Sequence, residues 1–294
     1  NCSINLNNFT VNGFSGESVT EDTESNRINL YLSGSDALNK NTQMLSGFLN
    51  PEIPNQRVLL LTKTLNSLVT DFSDFLISLG AEVIVVEATI SNGSSATMAA
   101  SISESGKILF IQNEYINLLD FIQGTPNGQA IINKINNNEM VAAFVGSDSR
   151  FAAKSVVYNF NQEYASYDGE LEFRDGLGIL NNAIVMHETF SSNIDNENAA
   201  TSIPYAMVTH NLRYGIWLYD DAIAHFEYQD GGLRLSGMGN FPMILAKNEG
   251  GKAQITDQSA VSSGNPRNIA GFEKFTYRLM DETTSEMIDL AGNI

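Results

Sequence analysis

The pattern that most constrains the fold is a series of short, continuously apolar runs separated by segments with helical spacing. An apolar run without polar alternation is typical of a strand buried on both faces, as in a parallel sheet. After a first strand at 27–34, the runs lie at 58–61, 83–86, 108–111 and 141–145. The alternation of strand and helix predicts an α/β fold, with a doubly wound and mostly parallel sheet flanked by helices.

The segments between these runs carry helix signals. Apolar residues from Leu65 to Leu79 follow the i, i+3, i+4 rule, and Gly80 supplies a C-terminal stop. Two shorter helices are predicted over 115–122 and 131–135. Thr125 and Pro126 suit the start of the second of these, because threonine caps a helix and proline is favoured in its first turn.

The C-terminal half has apolar runs in closer succession, and a hairpin signal at 230–232 separates two of them. The prediction here is a set of partly antiparallel strands that complete the same sheet, with a polar loop over 247–266. We expect a polar flexible leader over 1–27 and a single α/β domain over 28–294. The runs are 176–180, 183–186, 214–219, 222–227, 233–236 and 242–245.

Charge and composition exclude several classes of function. The chain has 34 acidic and 16 basic residues and a formal charge of −18, which disfavours binding to nucleic acid. No apolar run is long enough to cross a bilayer, and no pattern indicates a metal or another cofactor. A peptide or a small molecule is the expected partner, and the oligomeric state stays open, a dimer included.

The only cysteine is Cys2, which stands just ahead of the polar leader. A cysteine at the head of a flexible tether resembles a bacterial lipoprotein anchor, and this predicts an extracytoplasmic location. An incidental thiol in a disordered tail is the other interpretation, and it is compatible with a cytoplasmic protein.

The strand predicted at 141–145 runs into a tight turn, Gly146-Ser147-Asp148-Ser149, and a helix is predicted from there through Tyr158. Strand, turn and helix in this order are typical of a nucleophile elbow, in which a strained turn exposes one side chain above the sheet edge. The side chain presented here is that of Asp148. Capping of the following helix by Asp148, Ser147 or Ser149 is the competing interpretation.

A hydrolase also needs a base and an acid that orients it. His187 directly follows an apolar strand, and active-site residues of α/β sheets gather at the carboxyl ends of strands. Asp220 and Asp221 follow another strand, where a simple turn is the alternative explanation. His225 alternates within a strand and His210 lies near a helix end, so both are interpreted as structural.

Motifs from Asn29 to Leu245 occur in the order found in a known group of proteins. The chain resembles the cyanophycinase and peptidase E group of serine peptidases, which share a sheet arrangement with flavodoxin-like proteins and class I glutamine amidotransferases. The motifs that carry the resemblance are Leu32-Ser33-Gly34, 58–62, 75–80, 108–111, Gly124-Thr125-Pro126, the turn at Gly146, 176–178, the strand leading into His187, and 214–220.

The resemblance also implies where the catalytic residues of that group fall. The histidine base falls on His187, and its acidic partner falls on Asp220 or Asp221. The serine nucleophile falls on Asp148 if Gly146 anchors the match. A slip of one residue places Ser147 or Ser149 there instead.

This sequence departs from the group at several of these positions. The group's Gly-Gly-Asp-Gln turn after the third strand reads Gln112-Asn113-Glu114-Tyr115, and Arg150 and Phe151 replace small residues after the nucleophile. The arginines expected after the histidine are missing from 188–198. An elbow needs small neighbours so that its N–H groups can face an oxyanion.

We therefore predict a cyanophycinase-like protein without peptidase activity that keeps a binding cleft at the strand carboxyl ends. The alternative is an active serine hydrolase that uses Ser149 or Ser147 with His187 and Asp220. The residues expected to line the cleft are Gln112, Asn113, Glu114, Tyr115, Gly146, Arg150 and Glu188.

Overall fold

The computed structural model describes residues 28–50, 55–189, 196–250, 253–258 and 267–290. The predicted leader, with Cys2, lies outside the described residues. Within the described ranges, no helix is long and apolar enough to cross a membrane. In the same ranges, no three His, Cys, Asp or Glu side chains are grouped so that they could hold a metal ion.

The first sheet has eight strands. In spatial order the strands are β16 (Ser285–Ile288), β11 (Gly232–Met238), β10 (Ile223–Gln229), β1 (Asn29–Ser33), β5 (Val141–Phe144), β4 (Lys107–Phe110), β2 (Arg57–Thr62) and β3 (Glu82–Glu87). Strands β1 to β5 are parallel to one another, whereas β10, β11 and β16 extend the sheet in antiparallel fashion beyond β1.

The second sheet has six strands, and a separate hairpin has two. In spatial order the second sheet contains β15 (Phe275–Met280), β12 (Met243–Asn248), β9 (Tyr214–Trp217), β8 (Leu180–Met186), β6 (Ala153–Val157) and β7 (Phe173–Asp175). Strands β6, β8 and β9 are parallel, and antiparallel strands flank them on both sides. The hairpin is formed by β13 (Ala253–Gln258) and β14 (Arg267–Phe272).

Helices cover both faces of the first sheet, which confirms the predicted α/β class and its doubly wound arrangement. The helices of the described residues are α1 (Leu38–Phe48), α2 (Ser67–Ser78), α3 (Ile90–Gly93), α4 (Ala96–Glu104), α5 (Tyr115–Gly124), α6 (Pro126–Asn136), α7 (Ala165–Asp168) and α8 (Asn196–Thr209). Phe48 of α1 and Phe72 of α2 pack on one face of the sheet against Leu60. Phe121 of α5 and other residues of α4 to α6 pack on the opposite face, which includes Phe110.

The predicted helix boundaries follow local chemistry. The side chain of Asn66 accepts a hydrogen bond from the Val69 N–H at 3.1 Å and so caps α2, and Gly80 ends this segment with φ +93°. Thr125 caps α6 through the Gly128 N–H at 3.1 Å, and Pro126 stands at its first position. These contacts satisfy backbone donors that a helix leaves without partners in its first turn.

Three expectations about the second half are corrected by the structure. The later strands divide between two sheets, because β10 and β11 pair beside β1 whereas β9 and β12 join the second sheet. The predicted helix after residue 146 is a short 3-10 helix, Gly146–Ala152, followed by strand β6, in which four of the five residues are buried. The segment predicted as a loop over 247–266 contains β13, which pairs residue by residue with β14.

The two large sheets share one hydrophobic core. The cluster that contains Phe144 and Phe110 of the first sheet also contains Val156, Val185 and Ile216 of the second. The other face of the second sheet is covered by α8. This shared packing sets the carboxyl ends of β1, β4, β5, β8 and β9 against each other, since the N–H of Glu188 after β8 donates to the carbonyl of Gly34 after β1 at 3.2 Å.

Candidate functional site

The residues that follow four parallel strands share an unusual backbone conformation. Gln112 after β4, Gly146 after β5, Glu188 after β8 and Asp220 after β9 have φ values of +52°, +52°, +46° and +50°. Non-glycine residues seldom adopt this left-handed region, and such strain concentrates at binding and catalytic sites. The candidate site therefore lies at the edge where the carboxyl ends of both sheets meet.

Gly146 is the left-handed residue of the turn after β5, and the carboxylate of Asp36 occupies the space that a side chain at this position would need. A Cβ atom added to Gly146 would lie 2.0 Å from Asp36 Oδ1. The same Oδ1 accepts a hydrogen bond from the Ser147 N–H at 3.3 Å. Burial raises the pKa of Asp36, although the Ser147 N–H and the charge of Arg150 oppose this rise.

Asp148 points into the protein and is fully buried. Its carboxyl accepts hydrogen bonds from the backbone N–H of Asn113 at 3.0 Å and from Asn113 Nδ2 at 2.7 Å. Burial raises the pKa of Asp148 to about 8, with the Asn113 bonds acting in the opposite direction. Asp148 therefore ties the turn after β5 to the turn after β4, and it is mostly protonated at neutral pH.

Ser149 and Ser147, the hydroxyls flanking Asp148, have different environments. Ser149 is fully buried, and its Oγ accepts from the Ser33 N–H at 3.1 Å and lies 2.8 Å from the Ser33 carbonyl, to which it donates. This places the Ser149 hydroxyl between β1 and β5, where it links their ends. Ser147 is half-buried, and its backbone N–H and carbonyl contact Asp36 and Arg150.

His187 lies at the carboxyl end of β8, as its position in the sequence predicts, and is only 4% exposed. Burial, and secondarily the charge of Arg150, lowers the pKa of His187 well below its ordinary value, so the imidazole is neutral. The edge of the ring faces Phe160, with 5.2 Å between ring centroids. Nδ1 is buried and has no hydrogen-bond partner among the described residues.

The two acid candidates make contacts with residues other than His187. Asp220 forms an ion pair with Lys40 of α1. Asp221 is buried and accepts a hydrogen bond from Asn240. Over the described ranges, no hydrogen bond connects His187 to a serine or to either aspartate. The structure thus brings these residues to one edge without joining them into a hydrogen-bonded triad.

A cleft of about 460 Å³ opens beside this edge, between the start of α5 and the segment after β6. Of the residues predicted to line the cleft, Asn113, Glu114, Tyr115 and Arg150 do so, whereas Gln112, Gly146 and Glu188 are not among its lining. The complete lining is Asn113, Glu114, Tyr115, Ile116, Arg150, Phe151, Val156, Val157, Tyr158, Asn159, Phe160, Asn161 and Gln162.

Sequence reasoning missed two parts of the site. Asp36 follows β1 in the turn Ser33-Gly34-Ser35-Asp36, and its place at the carboxyl end of a parallel strand was the available signal. The side of the cleft formed by Tyr158 to Gln162 was not predicted, because the preceding segment was predicted as a helix rather than as strand β6.

Comparisons with known proteins agree with this architecture. Neither a family model nor a curated protein matches the sequence. A peptidase from an acI-B1 actinobacterium matches with a TM-score of 0.56 and 13% identity, covering 74% of this chain and 89% of that one. A candidate peptidase E protein from Listeria monocytogenes EGD-e matches with a TM-score of 0.52 and 10% identity, covering 71% and 97%. The chain has a peptidase E-like α/β fold.

Proposed function

We propose that this chain is a non-catalytic, cyanophycinase-like protein that keeps the peptidase E-like fold and uses the cleft at the strand carboxyl ends to bind a ligand. The observation that carries the proposal is the position of the Asp36 carboxylate over Gly146. In a nucleophile elbow the side chain at the tip of the turn performs the attack. Here the strained, left-handed residue of the turn is Gly146, which has no side chain, while Asp148, the residue that the sequence places at the tip, is fully buried.

The same carboxylate also fills the place where an oxyanion would be stabilised. The residue after an elbow nucleophile normally offers its backbone N–H to the oxyanion. The equivalent N–H, that of Ser147, donates to Asp36 Oδ1. A negative group held there competes with any substrate oxygen that develops negative charge. This arrangement supports binding without acyl transfer.

The environment of His187 supports the same proposal. A general base must lie within hydrogen-bond reach of its nucleophile and is normally oriented by an acid. The buried Nδ1 of His187 has no such acid partner among the described residues, and Asp220 is engaged by Lys40. The neutral imidazole and the Phe160 ring pack in a T-shaped arrangement, and this contact supports a packing role for His187 rather than a catalytic one.

The test is labelling with a fluorophosphonate probe, followed by mass measurement of the intact protein. We expect no covalent adduct under conditions that fully label a known serine hydrolase in the same tube. Ser147→Ala serves as the matched variant, because Ser147 is the half-buried hydroxyl of the turn. Stoichiometric modification of Ser147 that disappears in His187→Ala would refute the proposal and establish the serine hydrolase alternative.

A further inference from the structure

The chemical class of the ligand can be inferred from two hydrogen-bonding groups in the cleft. One is the guanidinium of Arg150, and the other is the first turn of helix α5 at Tyr115 and Ile116. They belong to different elements of the chain and face the same space. A volume of about 460 Å³ lies within the range of small-molecule sites.

Arg150 is a buried cation with spare hydrogen-bonding capacity. Only 7% of its surface is exposed. Its Nε donates to the Ser147 carbonyl at 3.1 Å and its Nη1 donates to the Val157 carbonyl at 2.9 Å, while the guanidinium carbon lies 4.1 Å from the centre of the Phe160 ring. Within the described ranges, Nη2 makes no hydrogen bond and no carboxylate forms an ion pair with the guanidinium.

The charge of Arg150 is therefore poorly compensated from inside the protein. Burial lowers the pKa of Arg150 only to about 10, so the guanidinium is cationic at neutral pH. The fully buried acid nearby, Asp148, has its pKa raised to about 8 and is mostly neutral there. Asp36 is close enough to act on Arg150 through its charge but is hydrogen-bonded to Ser147. A buried cation without a contacting counter-ion is costly unless an anion from outside completes it.

Helix α5 adds a second, independent preference for an anion. It has 10 residues, and its first position is not capped by the side chain of Glu114. The N–H groups of a first helical turn have no partners within the helix, and they carry the positive end of its dipole. Such a terminus is a ready site for an anion. The Glu114 carboxylate is 64% exposed and forms an ion pair with Lys63.

We propose that the cleft binds the carboxylate of a small organic acid, with Arg150 Nη2 and the first-turn N–H groups of α5 as donors. A planar guanidinium matches a planar carboxylate, and one cation balances one negative charge. Ile116, which is exposed, and Tyr115 and Phe160, which are partly exposed, supply apolar surface for the body of the molecule. This inference deepens the proposed binding function and assigns a ligand class to its cleft.

Benzoate is the probe, and benzamide is its neutral counterpart of nearly the same shape. Binding to the wild-type protein is followed by calorimetry and by the amide NMR signals of Tyr115 and Ile116. We expect benzoate to bind at least about tenfold more tightly than benzamide, because a charge-assisted bond is stronger than a neutral one. Equal binding of the two, or no saturable benzoate binding up to about 10 mM, would overturn the inference.

Variants locate the site. Arg150→Gln should weaken benzoate binding at least about tenfold, whereas Arg234→Gln, at an arginine that is partly exposed on β11, should leave it unchanged. Benzoate affinity that survives Arg150→Gln would contradict the inference. If Arg150→Gln fails to fold, the benzoate-to-benzamide ratio in the wild-type protein decides the question alone.

Two further comparisons separate related outcomes. N-acetylphenylalanine is compared with 3-phenylpropionate, which lacks only the acetamido group, because extra apolar area alone would strengthen binding relative to benzoate. Tighter binding of N-acetylphenylalanine than of 3-phenylpropionate identifies a peptide carboxyl terminus. Either result keeps Arg150 as the anchor. Fluorophosphonate labelling of Ser147 would overturn the non-catalytic proposal without touching the benzoate result, whereas absent benzoate binding would overturn only the ligand class.

Discussion

Replacing Gly146 with alanine tests the arrangement on which the proposed function rests. The alanine meets two separate penalties. The left-handed backbone at φ +52° disfavours any residue with a Cβ by about 1–2 kcal/mol. The new methyl group would also lie 2.0 Å from Asp36 Oδ1 and 2.7 Å from the Asp36 backbone nitrogen, an overlap of the kind that costs about 1–3 kcal/mol.

The expected loss in the free energy of unfolding is therefore about 2–5 kcal/mol. Gly178→Ala provides the matched control, because Gly178 also has a left-handed backbone, with φ +70°, but no atom of the described residues lies within 4 Å of an added Cβ. This control should cost only about 1–2 kcal/mol. The difference between the two variants isolates the contact with Asp36.

Asp36→Ala completes a double-mutant cycle. Asp36→Ala alone removes a partly buried carboxylate, a loss that stabilises the folded state, and one long hydrogen bond, a loss that destabilises it. Because these effects oppose each other, we expect the free energy of unfolding to change by no more than about 1 kcal/mol. The double variant Asp36→Ala/Gly146→Ala should lose about 1–3 kcal/mol less free energy of unfolding than the sum of the losses of the two single variants. Urea unfolding followed by the fluorescence of the single tryptophan, Trp217, measures the wild-type protein and all four variants. Equal costs for the two glycine variants, or strict additivity in the cycle, would refute the placement of Asp36.

Two other predictions concern the core of the site and the packing that supports it. The folded-state pKa of Asp148 is raised to about 8, so between about pH 4 and pH 8 the folded protein holds a proton that the unfolded chain releases. The stability that the protonated Asp148 contributes is therefore full below about pH 4 and is lost as the pH rises through about 8. Between pH 5 and pH 8 the free energy of unfolding of the wild type should fall by about 3 kcal/mol more than that of Asp148→Asn. Parallel pH profiles of the two proteins in urea unfolding would contradict this prediction. Gly128→Ala should lower the free energy of unfolding by about 1–3 kcal/mol, because the added Cβ would lie 2.2 Å from the Phe121 carbonyl oxygen. Gly124→Ala, with no described atom within 4 Å of an added Cβ, should leave the free energy of unfolding unchanged or raise it by up to about 1 kcal/mol. Urea unfolding measures both variants, and similar losses for both would count against the close packing of α5 and α6.

Much of the fold follows from local sequence patterns. The apolar runs at 58–61, 83–86, 108–111 and 141–145 correspond to β2 to β5, and the hairpin signal at 230–232 joins β10 to β11. These patterns succeed because a strand buried on both faces must be apolar along its whole length. His187 at the end of β8 was predictable for the same reason.

The partners of strands and of turn residues could not be read in this way. Both β10 and β12 are short strands with buried apolar residues, yet β10 pairs with β1 in the first sheet and β12 pairs with β9 in the second. An apolar pattern records that a residue is buried, but it does not record which surface buries it. Strand β13 was not predicted, because its polar composition is typical of a loop.

The local sequence is enough to place a strand, a tight turn and an unusual set of polar residues one after another, with the turn at Gly146-Ser147-Asp148-Ser149. The role of each turn residue depends on contacts with residues that are distant in the chain. Gly146 takes the left-handed position, Asp148 turns inward to Asn113, and Asp36, far away along the chain, lies over the glycine. These roles could not be predicted because backbone strain and buried carboxylates are stabilised by distant packing and hydrogen bonds, which no local pattern contains.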